Sequence, residues 1–113
     1  MTKNKEINIR VALDKENIPE TIVWSADDSD VSDMAVRAML LSLWDHRNKD
    51  TLRLDLWTRD MNKDEMKIFF YETLNTMADT LERSIDDSRI AEDMRDFCSY
   101  FAEKMDIAQN PDS

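Results

Sequence analysis

Glycine is absent from all 113 residues, and the chain has one cysteine, two prolines and one histidine. Without glycine there is no glycine-rich loop to cradle a phosphate. The tightest hairpin turns, which need positive φ, are disfavoured as well. The single cysteine, Cys98, has no intrachain disulfide partner. Positive charge is scarce: 15 Lys and Arg stand against 25 Asp and Glu, a net charge of -10. Such a field repels phosphate backbones and anionic lipid heads, so neither nucleic acid nor a membrane surface is an expected partner. Basic or amphipathic proteins fit better, although an acidic surface also serves solubility alone. No run approaches the ~20 apolar residues that cross a bilayer. The start, Met1-Thr-Lys-Asn-Lys-Glu, has neither the apolar stretch of a signal peptide nor a lipobox. A cytoplasmic protein without membrane insertion is the expectation.

At this length a single domain over residues 1–113 is expected, with 1–4 and 108–113 as frayed tails. Charge is uneven along it. Residues 1–60 carry 9 basic and 12 acidic side chains, and residues 61–113 carry 6 and 13. The C-terminal half therefore presents the acidic surface.

Lys5–Asp14 alternates, with Ile7, Ile9, Val11 and Leu13 on one side, which reads as a strand with one wet face. Glu20–Ala26 reads as a second strand. The polar connector Lys15–Pro19 makes an antiparallel hairpin the natural pairing. Asp27-Asp-Ser-Asp-Val-Ser-Asp33 offers Ser29, Asp30 and Ser32 as helix N-caps. A helix is expected from there to about Asp45, because Val31, Met34, Ala35, Ala38 and Leu41 recur at helical spacing. His46-Arg-Asn-Lys suits its C-terminus, with Asn48 as a left-handed cap. Thr51–Thr58 reads as a central strand, with Leu52, Leu54 and Leu56 toward the core and Arg53, Asp55 and Trp57 on the other face.

Met61–Ser84 is the strongest helical segment, with Met66, Phe69, Phe70, Leu74, Met77, Ala78, Leu81 and Ile85 at i, i+3, i+4 spacing. Asn62 or Asp60 can cap it. Ile90, Met94, Phe97, Cys98, Phe101 and Met105 repeat the pattern out of phase, with fresh caps at Asp86-Asp-Ser88. Two helices broken near 85–88 follow, or one bent helix. The expected fold is therefore α+β, in the order ββαβαα. A small three-stranded sheet, made of an antiparallel hairpin and one crossover strand, packs against helices.

The pieces Ile22-Val-Trp-Ser-Ala26, Leu40-Leu-Ser-Leu-Trp-Asp45, Thr51–Met61 and Phe69–Arg83 resemble the small gliding-motility-associated proteins of the Bacteroidetes, the GldC-like family. The likeness extends over about residues 5–84. It implies a soluble bacterial protein tied to gliding motility, with a gliding or secretion component as its protein partner. It carries over no reaction, catalytic residue, metal or cofactor.

Four aspartates, Asp27, Asp28, Asp30 and Asp33, lack the glycine and alternate spacing of a calcium loop, so a capped helix start explains them better. His46 is read as a helix-end residue and Cys98 as a small buried hydrophobe. The eight methionines fill core, or form a surface that takes varied amphipathic partners. Trp57 with Val23, Arg53 and Asp55 forms a patch on the second sheet face. Helices cover that face, or a protein partner does, since Trp and Arg are favoured anchors. The expected function is thus protein binding rather than catalysis. One rival is a small hydrolase or metal-dependent enzyme using Asp45, His46 and Asp60. Another is a structural homo-oligomer such as a homodimer.

Overall fold

The computed structural model describes residues 2–27 and 32–107. Among these residues five strands precede two helices: β1 (Ile7–Leu13), β2 (Pro19–Ala26), β3 (Met34–Val36), β4 (Ala38–Asp45), β5 (Asp50–Trp57), α1 (Lys63–Ile85) and α2 (Ser88–Lys104). This is an α+β fold. The chain divides into two compact units, Met1–Met61 and Asn62–Ser113, each described by itself.

In the first unit β1, β2 and β3 form one antiparallel sheet in that order. The hairpin of β1 and β2 is the one their alternation predicts. Ile22 lies opposite Val11 on one side and Val36 on the other, and only 1% of it is exposed. The apolar stripe of β1 and the apolar stripe of β2 therefore share one face around Ile22, while Arg10 and Val23 pair on the other. The connector is tied by Asp14, whose carboxylate accepts from the backbone N–H of Glu16 (2.8 Å) and Ile18 (3.0 Å).

The expected helix to Asp45 is not there: Met34–Val36 and Ala38–Asp45 are strands. The proposed caps Ser29 and Asp30 lie outside the described residues, as do Asp28 and the tail 108–113. Met34–Asp45 is nearly all apolar, and such a run satisfies a period of 2 as well as 3.6. Its neighbour decides. β4 and β5 pair antiparallel from Ala38↔Trp57 to Asp45↔Asp50, leaving His46–Lys49 as a four-residue loop. Asp45 builds that loop by accepting from the N–H of Arg47 (3.0 Å) and the Asn48 side chain (2.8 Å). The residues read as a helix C-terminus are thus a hairpin turn. With β4 a strand, there is no helical crossover among the described residues, and β5 is not central. It pairs with β4 in a two-stranded sheet.

A chain without glycine still needs left-handed residues. Asn17, Asp33, Lys49, Asp86 and Asp106 take φ between 51° and 63°. Lys49, not Asn48, holds this position in the hairpin. A Cβ in this region costs about 1 kcal/mol or more, which glycine avoids. Lys49→Gly is therefore expected to raise the stability of the first unit by about 0.5–1 kcal/mol, read from its denaturation midpoint.

The second unit is a helical hairpin. Asn62 caps α1 in a capping box: its side chain accepts from the Glu65 N–H at 2.8 Å, and the Glu65 carboxylate accepts from the Asn62 N–H. Asp86 ends α1 at φ 55°, and Asp87 starts α2 by accepting from Arg89 and Ile90. Two helices with a break at 86–87 are formed, not one bent helix. Ala78, Ala91, Cys98 and Ala102 are buried, so small side chains line the close approach of the helices. Burial pushes the Cys98 thiol above its ordinary value. Arg95 is held by Asp79 (2.8 Å), Glu82 (2.7 Å) and Glu92 (2.7 Å), which fixes α2 against α1.

Candidate functional site

The β4–β5 hairpin has two unlike faces, because directly opposed residues share a side. One face carries the rungs Met39–Leu56, Leu41–Leu54 and Leu43–Leu52. The other carries Ala38–Trp57, Leu40–Asp55, Ser42–Arg53 and Trp44–Thr51. Of the leucines expected to face the core, Leu52 and Leu54 are half-exposed instead, at 52% and 49%, and Leu56 is partly covered. In a two-stranded sheet the first face has too few neighbours to be enclosed.

On the second face a tryptophan stands at each end. Trp57 is 53% exposed and Trp44 is 65% exposed. Six steps along β4, from Ala38 to Trp44, separate the rung of Trp57 from that of Trp44, about 20 Å of strand. Between them the Arg53 guanidinium meets both Asp55 carboxylate oxygens at 3.2 Å. Arg53, Asp55 and Trp57 are thus assembled on one exposed face. Val23 is not beside them in pairing: it lies in the other sheet, opposite Arg10 and Ala35. Sequence reasoning missed Trp44, because reading β4 as a helix put that ring on an apolar stripe. The signal that finds it is the polar segment 46–49 between two runs rich in leucine, which pairs Trp44 with Thr51.

The end of β5 is anchored to its own unit. The Thr58 N–H donates to the Arg37 carbonyl at 2.8 Å, one step beyond the Trp57 rung, and Thr58 is buried. Its hydroxyl donates to the Asp60 carboxylate, which also faces the Arg37 guanidinium at 3.5 Å. Arg59 reaches Asp14 (2.8 Å) and Glu16 (2.9 Å) in the β1–β2 loop. Hydrogen bonds from the Ile18 N–H and Arg59 hold the Asp14 carboxyl below the usual aspartate value of 3.8. The Thr58 hydroxyl and Arg37 do the same for Asp60, against a smaller opposing effect of burial. A depressed folded-state value means the stability these groups contribute is complete above 3.8 and is lost as pH falls through the depressed value. An unfolding midpoint that is flat down to about pH 5 and falls below pH 4 is expected, with a shallower fall in Asp14→Asn.

The residues of the enzymatic rival are not brought together. Asp45 and His46 stand at the turn, while Asp60 follows Trp57 at the far end of the same hairpin, about 23 Å of strand away. No group of three or more His, Cys, Asp or Glu among the described residues is placed to hold a metal ion. Among the described residues no helix is long and apolar enough to cross a membrane.

This arrangement defines an α+β protein with an exposed face bearing two tryptophans on a β-hairpin anchored at its base. The chain belongs to the gliding motility-associated protein GldC-like family, which it matches over residues 19–107. That span includes α2, which the resemblance over 5–84 left out, and omits β1. No curated protein and no solved structure matches the chain.

Proposed function

We propose that this protein acts in gliding motility as an accessory component that binds another protein and catalyses no reaction. The observation that carries this reading is the exposed face bearing Trp44 and Trp57 with the Arg53–Asp55 pair between them. Aromatic and arginine side chains supply most of the energy at protein interfaces, and large exposed rings are costly without a partner. Membership of a gliding-motility family supports a gliding or secretion component as that partner. The separation of Asp45 and His46 from Asp60 favours binding over hydrolysis. The proposed location is the cytoplasm. Capture of partners by the wild-type chain and by Trp57→Ala tests the reading. Loss of a bound protein without loss of fold supports it.

A second reading, a homodimer, is favoured by the half-exposed leucine rungs on the reverse face. Two such faces stacked about a two-fold axis cover each other as in a β-sandwich. Light scattering distinguishes it: the homodimer requires twice the 13.3 kDa chain mass, and Leu54→Lys then returns the monomer.

A further inference from the structure

The helical hairpin carries a second surface, independent of the sheet face. Phe70, Leu74, Met77 and Leu81 of α1 are spaced 4-3-4, and so are Ile90, Met94, Phe97 and Phe101 of α2. α1 and α2 fill part of each other's seam, around the buried Ala78 and Cys98, while Phe70, Met77, Ile90 and Phe97 stay exposed. Leu74 meets Ile90, Met94 and Phe97 in a groove of about 230 Å³, with Asp93 in its wall. Met77 and Phe97 are each about half exposed, one on either helix.

Charge selects the occupant. Residues 62–113 carry 6 basic and 13 acidic side chains. Arg95, in the middle of α2, is fully taken up by Asp79, Glu82 and Glu92. Asp93 and Asp96 have no ion pair among the described residues. A second copy of this hairpin would bring like charge to like charge, which is unfavourable at close approach. We infer that the groove between α1 and α2 docks a basic amphipathic helix of a partner protein. Its apolar stripe enters over Leu74, Ile90 and Phe97, and its lysines or arginines meet Asp93 and Asp96. Methionine and phenylalanine suit this role because they adapt to varied apolar side chains.

The test uses the full chain and a labelled, amidated peptide of about 18 residues, five helical turns, with leucine at i, i+3, i+4, i+7 and lysine elsewhere. Fluorescence anisotropy should show binding that weakens with salt. A peptide of the same composition, scrambled to remove the stripe, should bind at least tenfold more weakly. Phe97→Asp and Ile90→Asp, each at an exposed side chain of the groove and each checked for helicity by circular dichroism, should weaken binding tenfold or more. Lys15→Ala, in the β1–β2 connector and on neither proposed surface, should leave it unchanged. Equal binding of the scrambled peptide would reduce the effect to bare charge and overturn the proposal. So would unchanged affinity in both folded Asp variants. A loss in Trp57→Ala would move the peptide to the sheet face. A dimer that Phe97→Asp dissociates would make the occupant a second copy.

Discussion

Ile22→Ala should destabilise the N-terminal unit by about 3 kcal/mol, the largest effect expected of any single truncation there. Ile22 is the largest side chain of that unit to be fully enclosed, between Val11 and Val36 in the centre of the β1-β2-β3 sheet. Removing three carbons there forfeits transfer energy and leaves a cavity that a short sheet does not close. Small domains have about 5–15 kcal/mol in all, so the variant loses a large share of its margin. Ile22→Val, one carbon shorter, should cost about 1 kcal/mol. Urea denaturation followed by tryptophan fluorescence reads both, because Trp24, Trp44 and Trp57 all lie in residues 1–61. A loss below about 1 kcal/mol for the alanine variant would show that the side chain is not the packing centre of this sheet.

How far the sequence disclosed this fold depends on whether local pattern or pairing decides each segment. The helices were legible, including their break, because five turns of i, i+3, i+4 spacing and the caps Asn62 and Asp87 are local signals. The β1–β2 hairpin was legible for the same reason: strict alternation on both sides of a polar connector. Met34–Asp45 was not. Its side chains fit either period, and its state is set by pairing with β5. The absence of glycine hid the turn, since Lys49 adopts a left-handed conformation that glycine usually marks.

The same error shaped what could be seen of the site. Arg53, Asp55 and Trp57 follow from alternation along β5 and do share a face. Trp44 joins them only once β4 is a strand, and Val23 falls in the other sheet. The leucines assigned to the core needed a knowledge of sheet width. In a two-stranded ribbon neither face is enclosed.

The second large effect is on binding. Trp57→Ala should weaken association with the partner by more than tenfold, about 1.4 kcal/mol or more, as truncation of a tryptophan anchor does. Its effect on folding should be small, because the ring is half-exposed and the backbone of β5 is held by the ladder to β4 and by Thr58. Trp44→Ala, at the other end of the face, should weaken binding in the same sense. Arg53→Ala should do less, since an exposed Arg–Asp pair is worth about 0–1 kcal/mol. A loss in Arg53→Ala larger than in either tryptophan variant would imply that charge steering, and not the indole rings, dominates.

Affinity capture from an extract of the source organism, run side by side with the wild-type chain and Trp57→Ala, tests the central claim most directly. A protein retained by the wild type and lost from the variant, with the same urea midpoint for both, is the predicted result. An unchanged set of bound proteins, or a variant that no longer folds, would contradict it: the first removes the face from binding, and the second makes Trp57 part of the core.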